Sequence, residues 1–229
     1  MIITWLFLVS NGILVSRYFR TIEFRGNISS RLSWFNVHRL IMTIASISTV
    51  VSFIFIFSAL QGNWIERGWT CAFVHSILGI IVITFTFLQP FIALFRCSTT
   101  STYRFIFNIL HRTIGILSFL LAKIVLFLAT YLRQFSNPFA RILMISWFVW
   151  ITLIFVIFES IDYYFRRKSS NSVYTTIEHS SDQQLTRVNS TSHRKASTGE
   201  KRGKLALLIL HMFVAGLLSI SLGLSLYFS

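Results

Sequence analysis

Apolar residues fall in long unbroken runs along this chain, and polar residues gather between the runs. Five runs, Phe35 to Leu60, Thr70 to Phe95, Phe105 to Leu132, Phe139 to Tyr164 and Leu205 to Ser229, each reach the roughly 20 residues that a helix needs to cross a hydrocarbon core of about 30 Å. A sixth, Ile2 to Ser16, offers 15 residues before Arg17, about 22 Å at a 1.5 Å rise. It reads as a spanning helix that lacks its first turn or two. A cleaved signal peptide is the competing reading, but no basic segment precedes the run and no small-residue cleavage site follows it. The pattern predicts an all-α polytopic membrane bundle of about six transmembrane helices.

Short polar connections, such as Gln61 to Trp69 and Arg96 to Arg104, join the first five helices, so sequence neighbours should pack antiparallel. The one long polar stretch, Ser169 to Lys204, is rich in Ser, Thr and basic residues and lacks apolar periodicity. It is expected to be a disordered cytosolic linker. The chain thus divides into a four-helix unit over residues 1–132, a fifth helix with its flanks over 133–168, the linker over 169–204 and a sixth helix over 205–229.

Composition agrees with this division. Of 229 residues, 54% are apolar and only 12% charged, a balance that leaves no soluble domain. The net charge of +14 would suit nucleic acid if it formed a patch, but it sorts by loop instead. Arg17, Arg20, Arg25 and Arg31 follow the first run, Arg96 and Arg104 follow the third, and nine Lys or Arg lie between Arg166 and Lys204. The alternate connections hold only Arg67, Arg133 and Arg141. This positive-inside bias puts the N-terminus and C-terminus outside and the basic segments in the cytosol, and it argues against a nucleic-acid partner. The sequons at Asn27 and Asn189 then face the cytosol and should go unused. Cys71 and Cys97 lie about 39 Å apart along one helix, too far for a disulfide, and are expected to be free thiols.

Candidate chemistry rests on histidine. His38, His75 and His111 lie a few residues inside the starts of the second, third and fourth helices, where polar side chains are costly and often functional. Successive helices run in opposite directions, so His38 and His111 share a level near the cytosol and His75 lies near the other face. Two imidazoles from alternate helices at one level can clamp a haem iron from both sides. Glycine follows two of them at the same offset, as His75-Ser76-Ile77-Leu78-Gly79 and His111-Arg112-Thr113-Ile114-Gly115, on the same helix face. That leaves room for a flat macrocycle. The alternative is that the histidines hydrogen-bond between helices in a redox-silent membrane transporter or regulatory subunit. Zinc finds no familiar ligand spacing. His211, in the last helix, reads as interfacial or structural.

Three segments carry a resemblance to a known family: Trp34-Phe35-Asn36-Val37-His38-Arg39; His75 to Gly79 leading into Leu88-Gln89-Pro90-Phe91-Ile92-Ala93-Leu94-Phe95-Arg96; and Phe107-Asn108-Ile109-Leu110-His111 to Gly115. Together they resemble the transmembrane core of cytochrome b561 proteins, most of all the ferric-chelate reductase branch with its extracellular DOMON domain, over most of residues 5–132. The resemblance implies a bundle with two b-type haems that passes electrons from cytosolic ascorbate to an outer acceptor such as ferric iron. It implies that His38 and His111 bind the cytosolic haem and that His75 is one ligand of the outer haem.

The likeness departs at the front. The family's first core helix carries its histidine upstream of the segment resembling Trp5 to Arg20, and no histidine occurs before His38 here. A truncated isoform or incomplete gene model is the preferred explanation, and a divergent member with one haem the second. Arg39 and Arg112 directly follow two of the histidines and either pair with haem propionates or anchor the cytosolic face. Lys123, deep in the fourth helix, has no assigned role beyond snorkelling. Plasma membrane and endomembranes both suit the sequence, and a homodimer is compatible with it.

Overall fold

The computed structural model of the chain describes residues 1–20, 33–63, 70–95, 103–132, 137–180 and 197–228. The first helix opens with a π-helical stretch, Thr4–Val9, and continues as α1, Ser10–Tyr18. Then follow α2 (Ser33–Ala59), α3 (Thr70–Leu94), α4 (Arg104–Ala129), α5 (Pro138–Ser180) and α6 (Thr198–Tyr227). Five of these helices are long and apolar enough to cross a membrane. Large apolar side chains line the exterior of the bundle, among them Phe55 at 71% exposure, Phe105 at 70% and Val149 at 64%. Water would not tolerate so continuous an apolar surface; hydrocarbon does. The chain is a multi-pass integral membrane protein.

The first helix, shorter than the five, is the most enclosed part of the molecule. Trp5, Leu6, Val9, Leu14, Val15 and Tyr18 are all buried, and neighbours on α2, α4, α5 and α6 surround it. A π turn widens the helix and leaves carbonyls poorly served. Here the side chains mend it: Ser10 Oγ donates to the carbonyls of Leu6 (2.6 Å) and Phe7 (3.0 Å), and Asn11 Nδ2 donates to Phe7 (2.8 Å). Gly12 permits the close approach of α2, because a Cβ there would sit 2.7 Å from Met42 Sδ. Small residues at such crossings are how membrane helices come together when no hydrophobic force drives them.

The cross-helix contacts fix the antiparallel order. Gly12 meets His38 while Met1 meets Ser52; Cys71 meets Leu128 while Gln89 meets His111; Asn137 meets Ser225 while Trp150 meets His211. The C-terminal end of α1 therefore lies beside the starts of α2 and α6.

The polar segment expected over 169–204 is shorter than its composition suggests. α5 runs on to Ser180 and α6 begins at Thr198, so only the stretch between them, which lies outside the described residues apart from Ser197, remains for a linker. No Gly or Pro interrupts 139–198 to stop the helix. Ser197 then starts α6 as a capping residue, its Oγ accepting from the Glu200 N–H at 3.2 Å. The run expected from Leu205 gains two turns, because Lys204 is buried among polar partners: it ion-pairs with Asp162 of α5, contacts Glu200 at 2.9 Å and donates to the Tyr18 carbonyl at 3.4 Å. One ammonium thus holds α1, α5 and α6 together.

Lys204→Met should destabilise the folded protein by about 3 kcal/mol, the cost of removing one partner from a buried ionic cluster. Lys201→Met, on the same turn but less enclosed, should cost far less. Unfolding in mixed detergent micelles compares the two.

Candidate haem-binding site

The three histidines singled out by the sequence are all half-buried, two of them against the backbone of a neighbouring helix. His38 of α2 places Nδ1 2.8 Å from the Gly12 carbonyl of α1. His75 of α3 places Nδ1 3.0 Å from the Val125 carbonyl of α4. A carbonyl oxygen only accepts, so in both rings Nδ1 carries the proton and donates, and Nε2 keeps its lone pair. An anchored Nδ1–H with a basic Nε2 is the arrangement that orients imidazole as a metal ligand. His111 of α4 is held differently. Its ring stacks on Phe107 one turn earlier, at 5.8 Å between centroids and 6° between planes, and its carbonyl accepts from Gln89 Nε2 of α3 at 3.1 Å.

His75 and His111 lie at opposite ends of the antiparallel α3–α4 pair, since Cys71 meets Leu128 while Gln89 meets His111. His38 and Gly12 lie toward the end where Tyr18 meets Lys204, and His111 opposes Gln89 near the end of α3. The structure does not bring His75 to the level of His111. The two glycines also part company. Beside Gly79 a Cβ would meet nothing within 4 Å, so open space remains on that face of α3, whereas beside Gly115 it would lie 3.6 Å from the Gln89 amide. The spacing His-x-x-x-Gly thus marks open space at one position and a side-chain contact at the other.

The match over this geometry is broad: the eukaryotic cytochrome b561 family covers residues 1–136. The chain belongs to that family. Among its relatives, Ferric-chelate reductase 1 of Mus musculus is 33% identical over 138 residues, 60% of this chain and 22% of the relative. Putative ferric-chelate reductase 1 of Xenopus laevis is 29% identical over 162 residues, 70% of this chain and 27% of the relative. The Putative ferric-chelate reductase 1 homolog of Drosophila melanogaster is 30% identical over 157 residues, 69% of this chain and 22% of the relative. The chain spans about a quarter or less of the length of these relatives. No solved structure matches it.

For a cytochrome b561 the donor set suits haem b. His38 and His75, each in a separate half-site, hold a fixed Nδ1 proton and keep an Nε2 lone pair that could bind iron, and the helix face at Gly79, one turn from His75, is open. The remaining candidates fall into place around it. Lys123 places its Nζ 4.0 Å from the Phe119 ring centroid and 5.4 Å from that of Trp147, so two aromatic faces stabilise the cation. Arg39 stacks on Phe35 at 5.7 Å and Arg112 is exposed. Cys71 is a free thiol; Cys97 lies outside the described residues.

His211, read from the sequence as interfacial or structural, proves structural. It is fully buried, with Nδ1 accepting from Trp150 Nε1–H at 3.2 Å, which leaves Nε2–H to donate to Ser10 Oγ at 3.1 Å. Both ring nitrogens are therefore spent on holding α1, α5 and α6, a structural role. The polar patch Ser10-Asn11-Gly12 inside an otherwise apolar run was the signal that something polar had to face it.

Nitrogen-15 spectra of histidine-labelled, haem-free protein should show His38 and His75 as Nδ1–H tautomers. Gly12→Val, which drives α1 off Met42, should lose that signature at His38 and keep it at His75. Equal loss at both would mean general unfolding rather than local displacement.

Proposed function

We propose that this chain carries electrons across a membrane by way of haem b, taking them from an ascorbate-like cytosolic donor toward an outer acceptor such as ferric iron. His38 and His111 are the axial ligands at the cytosolic end, and His75 is one ligand at the outer end. What supports the reading above all is that the Gly12 carbonyl holds His38 with Nε2 as its donor atom; the alternation of helix direction expected from the sequence would set His111 on α4 at the same level. Bound there, haem would supply a one-electron store whose iron alternates between ferric and ferrous.

The protein's own part is positioning. Backbone carbonyls orient two of the rings, and Phe107 flanks the third. The bias of basic residues toward one set of loops supports a cytosolic placement of the His38–His111 end. Residues 1–20 contain no histidine, so a second ligand for His75 is not drawn from them. Transfer over the full core of about 30 Å depends on that half-site being completed, which makes delivery to the outer acceptor the most sensitive part of the activity. A ferric acceptor is in keeping with the ferric-chelate reductases that this chain resembles, and an ascorbate-like donor with the cytochrome b561 likeness.

Purified protein should show a reduced-minus-oxidised b-type spectrum with about one haem per chain. His38→Ala or His111→Ala should abolish that haem, and His75→Ala should retain it. A well-folded parent that binds no haem would overturn the redox reading and favour histidines that serve only to join helices.

A further inference from the structure

We propose that Gln89 is a positioning residue for His111, and so for the cytosolic haem; the inference rests on His111 being a ligand. A helix carbonyl that has accepted its own intrahelical N–H keeps one lone pair. At His111 the Gln89 amide reaches across from α3 and donates to that carbonyl at 3.1 Å. The residue four positions on is Gly115, so no side chain covers the carbonyl from that helix face. Its missing Cβ would lie 3.6 Å from Gln89 Nε2, so the amide lies against the bare helix face. Gly115 thus admits a side chain rather than a macrocycle.

This contact fixes the height and rotation of α4 against α3 at the residue whose imidazole must face His38. Ring stacking by Phe107 then sets the imidazole plane on that fixed backbone. Gln89 touches neither the ring nor the iron position; it acts through the peptide. In an apolar medium such a bond has no water to compete with it. Without the donor, α4 is free to rotate slightly, and the angle between the two axial imidazole planes changes with it.

The test uses the haem-loaded full chain and reads the low-field g feature of the oxidised haem by low-temperature EPR, which reports the angle between the imidazole planes. The parent and His111→Ala are measured first, because absence of His111-dependent haem in the parent would sink the ligand reading and this inference with it. Gln89→Met keeps the length of the side chain and removes the donor. It should displace the g feature, or cost haem in a protein whose helical circular dichroism equals the parent's. Leu88→Met, an exposed neighbour on the same helix, should do neither. Gly115→Val, which evicts the amide without altering it, should reproduce the Gln89→Met spectrum and serves if that variant does not insert. An unchanged g feature and haem content in both Gln89→Met and Gly115→Val would overturn the proposal.

Discussion

Inside hydrocarbon no water competes for a hydrogen bond, so a polar group within a membrane bundle either finds a protein partner or carries a cost of several kcal/mol. That constraint organises this structure more than apolar packing does, since lipid tails solvate Phe and Leu as readily as neighbouring helices do. The polar groups of the first helix show it most clearly. Ser10 and Asn11 serve carbonyls freed by the π turn, Ser10 also meets His211, the Gly12 carbonyl meets His38, and the Tyr18 carbonyl meets Lys204. A helix short for the bilayer is thereby held to α2 and α6. Among the described residues Asn11 Oδ1, Ser118 Oγ, Arg141 Nε and Trp147 Nε1 are buried exceptions.

The same constraint links the family-matched region to what lies beyond it. The cytochrome b561 match ends at residue 136, yet α5 and α6 supply Trp150, His211, Asp162 and Lys204, which grip α1. α1 in turn supplies the carbonyl that sets His38. The last two helices therefore support the site indirectly, through a helix they enclose, and a change in either is felt at a histidine they do not touch.

Much of this was legible in the residues. Apolar run length placed α2, α3 and α4 to within three residues at each end, because nothing but the helix satisfies twenty backbone groups in lipid. His38, His75 and His111 stood out as polar groups at matched depths. The limits were equally physical. Residues 169–180 read as linker because apolar periodicity ends there, but a helix leaving the membrane continues until something stops it, and neither Gly nor Pro does. The roles of Gln89 and His211 depend on which helices adjoin, and a single chain's periodicity does not say that. Gly79 and Gly115 share one offset from histidine and differ in use, since only one of them faces a glutamine from the next helix.

The central claim is that a haem held by His38 and His111 lies at the end of the bundle that carries the basic loops. Vesicles containing the oriented, haem-loaded protein, offered a membrane-impermeant ascorbate-like donor on one side at a time, test it directly. The account predicts rapid haem reduction when the donor is on the side of the basic loops and little when it is on the other. Rapid reduction only from the opposite side would contradict it.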